Sequence, residues 1–331
     1  MRLAATPDDR PLITVLGASG FVGSAVTAAL ARRRCRVRAV ARRPGAPVRP
    51  GAAEMEWCAA DLTDTAQLAR ALAGSDAVLH LLLNDGGWRA AENDPGSERL
   101  NVGVMRALLE ELAARDGRRP PALVVYAGAA SQIGVPPDGP IDGSEPDAPL
   151  ARYDRQKLAA ERLLKEASAA GVVRGISLRL ATVFGPGRGP RARDRGIVTT
   201  MARRALAGEP LTMWHDGSVR RDLIYVNDVA RSFLAALDHP DPLAGRHWLV
   251  GTGSGQPLGR VFSMIAESVA AHTGRPPVPV VTVTPPGDAP HTDFKSLTLD
   301  PSRFREATGW EATVALPEAL DRTVAGLAAN P

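Results

Sequence analysis

The sequence predicts an α/β fold, a doubly wound parallel sheet with a smaller C-terminal lobe. Three observations predict it. Apolar runs of strand length alternate with helix-length segments from Ile13 to Leu180, the pattern of a parallel sheet covered on both faces. The first run turns through Gly17, Gly20 and Gly23 into a helix. Beyond about residue 185 the pattern continues in shorter pieces, which suit a second lobe over the C-terminal ends of the strands, where open parallel sheets bind ligands.

Taken in order, residues 13–16 read as a buried strand. Gly17 makes the tight turn, Gly20 lets a pyrophosphate approach the backbone, and Gly23 lets helix and strand pack closely. The helix that follows, residues 24–33, has Val26 and Leu30 four apart. Its free N–H groups and dipole face the turn and make an anion site. An ordinary turn needs one glycine, not three. Residues 37–41 and 55–59 read as the second and third strands, followed by Asp61-Leu62-Thr63 and a helix over 64–73. Residues 77–83 read as the fourth strand. A loop with Gly86, Gly87 and Pro95 leads to a helix over 101–114, and residues 122–127 read as the fifth strand. A Pro/Gly-rich loop (135–149) precedes a helix over about 150–170, ended by Gly171, and residues 175–180 read as the sixth strand. Strand-like pieces recur at 223–226 and 247–250, and helical ones at 196–207 and 258–271. The Pro-rich stretch 273–290 reads as a surface connection. The expected division is a Rossmann-type dinucleotide-binding domain over 1–185 plus about 222–250, with a substrate-binding lobe over 186–221 and 251–331.

Composition narrows the classes. The 331 residues carry a net charge of +4, but the basic charge is almost all arginine, with lysine only at 157, 165 and 295. With few aromatics to stack bases, a nucleic-acid partner is not expected. No stretch reaches the roughly 18 apolar residues of a membrane span. Residues 1–11 include Asp8 and Asp9 and have no apolar signal core, so the expectation is a cytoplasmic protein. Cys35 and Cys58 lack metal or redox spacing, and no metal-spaced cluster of His, Cys and carboxylates stands out.

Chemistry points to Tyr153 and Lys157, four apart on one helix face. A protonated lysine near a phenol lowers its pKa, and such a tyrosine can give a proton to an alkoxide or take one from an alcohol. Glu161/Lys165 and Arg162/Glu166 on the same helix read as solvent-face pairs. His80, inside an apolar strand, reads as a satisfied core or strand-end histidine.

These pieces together resemble an extended short-chain dehydrogenase/reductase. The resemblance is carried by Gly17-x-x-Gly20-x-x-Gly23, Asp61-Leu62, Asn101 opening a helix, Tyr153-x-x-x-Lys157, the run from Arg179 to Gly187, the run from Arg221 to Asp228, and Gly309-Trp310. More narrowly, Trp88-Arg89, the run from Glu98 to Gly103 and the run from Arg204 to Gly217 resemble the 4-ketoreductases of antibiotic deoxysugar biosynthesis, which reduce dTDP-4-keto-6-deoxyhexoses, 2,6-dideoxy ones among them. The resemblance implies cofactor contacts from Gly17, Ser19, Gly20, Phe21, Val22, Gly23, Asp61, Leu62, Leu81, Asn101, Tyr153 and Lys157. Asp61 would lie near the adenine; the competing reading is a helix-capping aspartate before Thr63.

One position departs from the family. A Ser or Thr usually ends the fifth strand, five residues before a loop glycine; counting back from Gly134 gives Ala129. Ser131, two residues on, points the same way if the backbone stays extended. Either Ser131 replaces the missing hydroxyl or the site relies on Tyr153 alone. Cofactor choice is read at the end of the second strand. Where an NAD enzyme usually places an acid, this chain has Ala41-Arg42-Arg43, which suits the 2′-phosphate of NADP.

On the substrate side the resemblance implies that Arg221 binds the sugar-nucleotide diphosphate, the alternative being a salt bridge with Asp222 or Asp228. It places Trp214 near the base, against an alternative of core packing. Arg179, Trp88 and Arg89 are weaker substrate candidates. The partner implied is a dTDP-linked keto-deoxysugar, and a homodimer through the helices 101–114 and 150–170 follows the family pattern. The reading is NADPH-dependent reduction of the sugar C4 ketone, with Tyr153 as proton donor, Lys157 on the cofactor ribose and Ser131 orienting the ketone. The alternatives are a sugar-nucleotide epimerase or dehydratase that retains its NAD, and a non-catalytic NADP-binding sensor.

Overall fold

The computed structural model describes residues 9–43, 45, 48–83, 92, 94, 96–115, 120–189, 192–214, 216–285, 287 and 291–329. The first half alternates strand and helix. β1 (Leu12–Leu16) is buried along its whole length, as a continuous apolar run between two covered faces requires. α1 (Phe21–Leu30), β2 (Arg36–Ala41), β3 (Glu54–Ala59), α2 (Thr65–Leu72) and β4 (Ala77–His80) follow. β4 stops at His80, three residues short of the apolar run that suggested it. A π-helical turn at Arg99–Gly103 opens α3 (Val104–Ala113). β5 (Ala122–Ala129) passes through a 3-10 turn (Ala130–Ile133) towards α4 (Arg152–Ala169) and β6 (Val173–Leu180).

The remainder comprises β7 (Thr182–Phe184), α5 (Ile197–Leu206), β8 (Leu211–Met213), β9 (Arg220–Tyr225), α6 (Val226–Asp238), α7 (Pro240–Leu243), β10 (Arg246–Val250), β11 (Gly255–Pro257), α8 (Leu258–Thr273), β12 (Val280–Thr282), α9 (Ser302–Thr308) and α10 (Leu316–Ala328).

Among the described residues the central sheet has seven parallel strands in the order β3-β2-β1-β4-β5-β6-β10. The order reverses between β1 and β4, which opens a crevice at their C-terminal ends. Val26 and Leu30 of α1 and Phe233 of α6 pack on one face of the sheet. Leu68 of α2, Leu108 of α3 and Leu164 of α4 pack on the other. A separate core joins Phe184, Met201, Leu211, Phe262 and Leu320, beside small sheets in the orders β11-β9-β7 and β12-β8. Within 222–250, β9 lies in a small sheet while β10 joins the large one. No helix among the described residues is long and apolar enough to cross a membrane.

Candidate active site

The glycine turn sits at the reversal of strand order. Gly17 has φ of +87°, and its N–H donates to the Val40 carbonyl at 3.0 Å. A Cβ there would stand 2.9 Å from the Leu81 carbonyl oxygen, and one at Gly23 would stand 2.0 Å from the Gly17 oxygen. Both positions therefore demand glycine. Gly20 caps α1 with backbone only, with no side-chain hydrogen bond to the first turn. The opening N–H groups of that helix, carried by Phe21, Val22 and Gly23, have no intrahelical partner and are left for an anion. Ser19 is half-buried in the turn and Leu81 is buried against it. This arrangement fits the pyrophosphate of a dinucleotide.

Arg42 and Arg43 are exposed just past the end of β2. Leu62 is buried. Asp61 is exposed and makes its own local cap. It accepts from the Thr63 N–H at 3.0 Å and the Thr63 hydroxyl at 2.8 Å, bonds that hold its carboxyl below the usual range. The N-cap of α2 itself is Asp64.

α4 carries both Tyr153 and Lys157. Lys157 is buried, and its Nζ donates to the Ala127 carbonyl at 2.8 Å. The same nitrogen lies 4.8 Å from the Tyr126 ring centre and 5.7 Å from that of Tyr153. Desolvation brings Lys157 down to about 7. Tyr153 is half-buried, and burial, with Asp154 adding to it, pushes its phenol up. The expected depression of Tyr153 by Lys157 is thus corrected. Desolvation dominates at the phenol, and it also weakens the charge on the lysine.

Ala129 ends β5, and Ser131 follows in the 3-10 turn, exposed. The Ser131 hydroxyl donates to Asp154 Oδ1 at 2.5 Å. Asp154 escaped sequence reasoning because an acid in the first turn of a helix reads as an ordinary dipole partner. Glu92 was missed too; its Oε1 accepts the Tyr153 N–H at 3.2 Å. Asn101 is buried and donates to Gln156 Oε1 at 2.8 Å, while its own Oδ1 has no partner among the described residues. His80 is in the core as expected but is not satisfied there. Neither ring nitrogen has a hydrogen-bond partner among the described residues, and the ring meets Tyr126 edge-on at 5.3 Å. Burial, then the Lys157 charge, lowers its pKa to about 3, so it stays neutral.

The substrate-side candidates separate. Arg179 is corrected. It is buried in the sheet, where Nη1 and Nη2 bind Asp147 at 2.7 and 2.9 Å and Nε and Nη2 bind Glu161 at 3.0 and 2.7 Å. Glu161 is corrected with it. The carboxylate expected on a solvent face is buried, although it does accept from Lys165 at 2.6 Å. Arg221 bonds neither Asp222 nor Asp228. Its guanidinium donates to the carbonyls of Thr292 and Asp293 at 3.1 Å, and also to those of Arg220 and Lys295. Asp222 instead accepts from Thr252, Gly253 and Leu299. Trp214 is half-buried just after β8. Trp88 and Arg89 lie outside the described residues.

Known proteins are similar to this chain in sequence and fold. The dTDP-6-deoxy-L-talose 4-dehydrogenase (NAD(P)(+)) of Kitasatospora kifunensis is 29% identical over 319 residues, covering 93% of each chain. A UDP-glucose 4-epimerase of Mycolicibacterium smegmatis is 29% identical over 82% of each chain. The structure of MoeE5 in complex with UDP-glucose and NAD superimposes with a TM-score of 0.79 at 28% identity, covering 96% of this chain and 99% of that one. Residues 13–251 match the model of one family, and the chain belongs to it: the NAD dependent epimerase/dehydratase family.

Proposed function

We propose that this protein is an NADPH-dependent ketoreductase acting on the C4 ketone of a dTDP-4-keto-6-deoxyhexose. The observation that carries this reading is the placement of Tyr153 and Lys157 on one face of α4, with Lys157 Nζ 5.7 Å from the Tyr153 ring centre and bonded to Ala127 near the end of β5. A phenol so placed can give the proton that reduction of a ketone needs. When bound, the nicotinamide supplies the hydride. Tyr153 protonates the sugar oxygen as it gains charge. Lys157, tied to Ala127, presents a nitrogen to the cofactor ribose from the same helix face. Asn101 and the turn of Gly17 to Gly23 fit the cofactor body, and Arg42 and Arg43 fit a 2′-phosphate. Dehydration calls for acids in the two positions that follow Ala129, where this chain has Ala130 and Ser131, and the acid the structure brings there, Asp154, comes from α4. A relative whose name states dehydrogenation at C4 of a dTDP-6-deoxy sugar supports the substrate class.

A second reading, a 4-epimerase that retains its cofactor, draws on the similarity to UDP-glucose 4-epimerase. One experiment separates them: nicotinamide absorbance with dTDP-4-keto-6-deoxyglucose, comparing NADPH with NADH, followed by NMR of the product. Stoichiometric NADPH loss with a new hydroxyl at C4 is the expected result. No NADPH loss, with nicotinamide co-purified on the protein, would favour the epimerase.

A further inference from the structure

Asp154 is the third residue of α4, where a carboxylate ordinarily faces the first-turn N–H groups. Here Glu92 takes the Tyr153 N–H instead. Asp154 is buried, and its Oδ1 accepts the Ser131 hydroxyl at 2.5 Å. Ser131 is exposed and follows the C-terminal end of β5, the end at which such sheets bind ligands. One hydroxyl therefore separates a buried carboxyl from the crevice.

A serine has one proton and two lone pairs to place. An ionised Asp154 takes the proton, so Ser131 offers the crevice only lone pairs. A protonated Asp154 donates to Ser131 Oγ and frees the serine proton for the crevice. We propose that Asp154 is a positioning residue that sets the hydrogen-bonding polarity of Ser131, making it a donor to a sugar ketone when the carboxyl is protonated and an acceptor from a sugar hydroxyl when it is ionised. The inference rests on the keto-sugar reading above. A ketone oxygen can only accept and the product alcohol can donate, so the pair separates substrate from product by its own protonation state.

The surroundings of Asp154 suit such a group. Burial raises its pKa, the Ser131 hydrogen bond opposes this, Glu92 adds to the rise and Arg155 opposes it. Burial, with Asp154 adding to it, pushes the Tyr153 phenol beside it up, and Lys157 lies one turn further along, bound to Ala127.

The test begins on the unliganded protein with 13C-carboxyl-labelled aspartate, the Asp154 resonance being assigned by its loss in Asp154→Asn. It is expected to titrate above the ordinary carboxylate range. In Ser131→Ala it should titrate higher still, because the hydrogen bond that favours the charged form is gone. In turnover, KM for the keto-sugar should rise about threefold to tenfold as pH passes upward through that titration, the worth of one hydrogen bond, with kcat little changed. Asp154→Asn and Ser131→Ala should flatten the KM profile, and Ser131→Thr should restore it. An ordinary titration of Asp154, or a KM slope that persists in Asp154→Asn, would overturn the proposal. If the wild-type protein consumes no NADPH with the keto-sugar, the ketoreductase reading fails. The pair is then judged by the carboxyl titration and its response to Ser131→Ala alone, and no response overturns it.

Discussion

Lys157 Nζ donates to the Ala127 carbonyl oxygen at 2.8 Å, which ties the tyrosine-bearing helix α4 to the C-terminal end of strand β5. The bond fixes how far Tyr153 stands from the sheet. It also holds an amine in a buried place, where its pKa falls to about 7.

Replacing Lys157 by methionine should therefore abolish turnover and stabilise the fold. A lysine whose folded pKa is depressed binds fewer protons folded than unfolded between pH 7 and 10.5, so native stability rises with pH across that window. The variant lacks this dependence. Its advantage over the wild type should be about 1–3 kcal/mol below pH 7 and fade towards pH 10, as read by denaturant unfolding at each pH. A variant less stable than the wild type at pH 6 would show that the lysine contributes more through Ala127 than burial takes away.

Tyr153→Phe removes the proposed proton donor and keeps the ring. Turnover of the keto-sugar should fall by about 10²–10⁴-fold, the usual contribution of a positioned general acid. NADPH binding, followed by fluorescence titration, should stay within about twofold of wild type, since the hydroxyl is one contact among many. Wild-type turnover in this variant would remove Tyr153 from its assigned role.

The alternation of strands and helices and the glycine turn were legible because their causes are local. A Cβ at Gly23 would strike Gly17, six residues away. Arg179 and Glu161 were misread because their cause is not local. Glu161 and Lys165 have the spacing of a solvent pair on α4, and nothing in that spacing shows that β6 passes alongside with Arg179 and Ser177. Both donate to Glu161 in the structure. Asp154 was hidden for the same reason, since its partner Ser131 comes from the turn after β5, 23 residues earlier. Tyr153 was found by spacing, but its elevated pKa depends on burial by chain that spacing does not describe.

Arg42→Ala with Arg43→Ala should shift cofactor preference. Both residues are exposed just past the end of β2, the place the NADPH proposal assigns to a 2′-phosphate. Losing two charge-assisted contacts should raise KM for NADPH by about tenfold or more while leaving that for NADH nearly unchanged. Equal losses for the two cofactors would mean that the arginines serve the fold or the solvent face and not the phosphate.

Glu161 and Arg179 give the sharpest separation of structural from substrate-binding roles. The Glu161 carboxylate is fully buried and accepts from Arg179, Ser177, Lys165 and Gln132. Burial acts to raise its pKa, but His247, Arg179 and Lys165 together hold it well below the ordinary carboxylate range. Its contribution is complete above about pH 4.3, the unfolded value, and is lost as pH falls towards the folded one. Glu161→Gln leaves Arg179 with Asp147 as its one carboxylate partner. The expected cost is about 3–5 kcal/mol, the price of breaking a buried pair from one side, or about 5–10 °C in the thermal midpoint at pH 7 for a chain of this length. The gap between variant and wild type should narrow as the pH is lowered below 4. Because both faces of the Arg179 fork are filled by carboxylates of its own chain, Arg179→Lys should lower the midpoint and leave KM for the sugar nucleotide unchanged. A raised KM at an unchanged midpoint would return Arg179 to the substrate side.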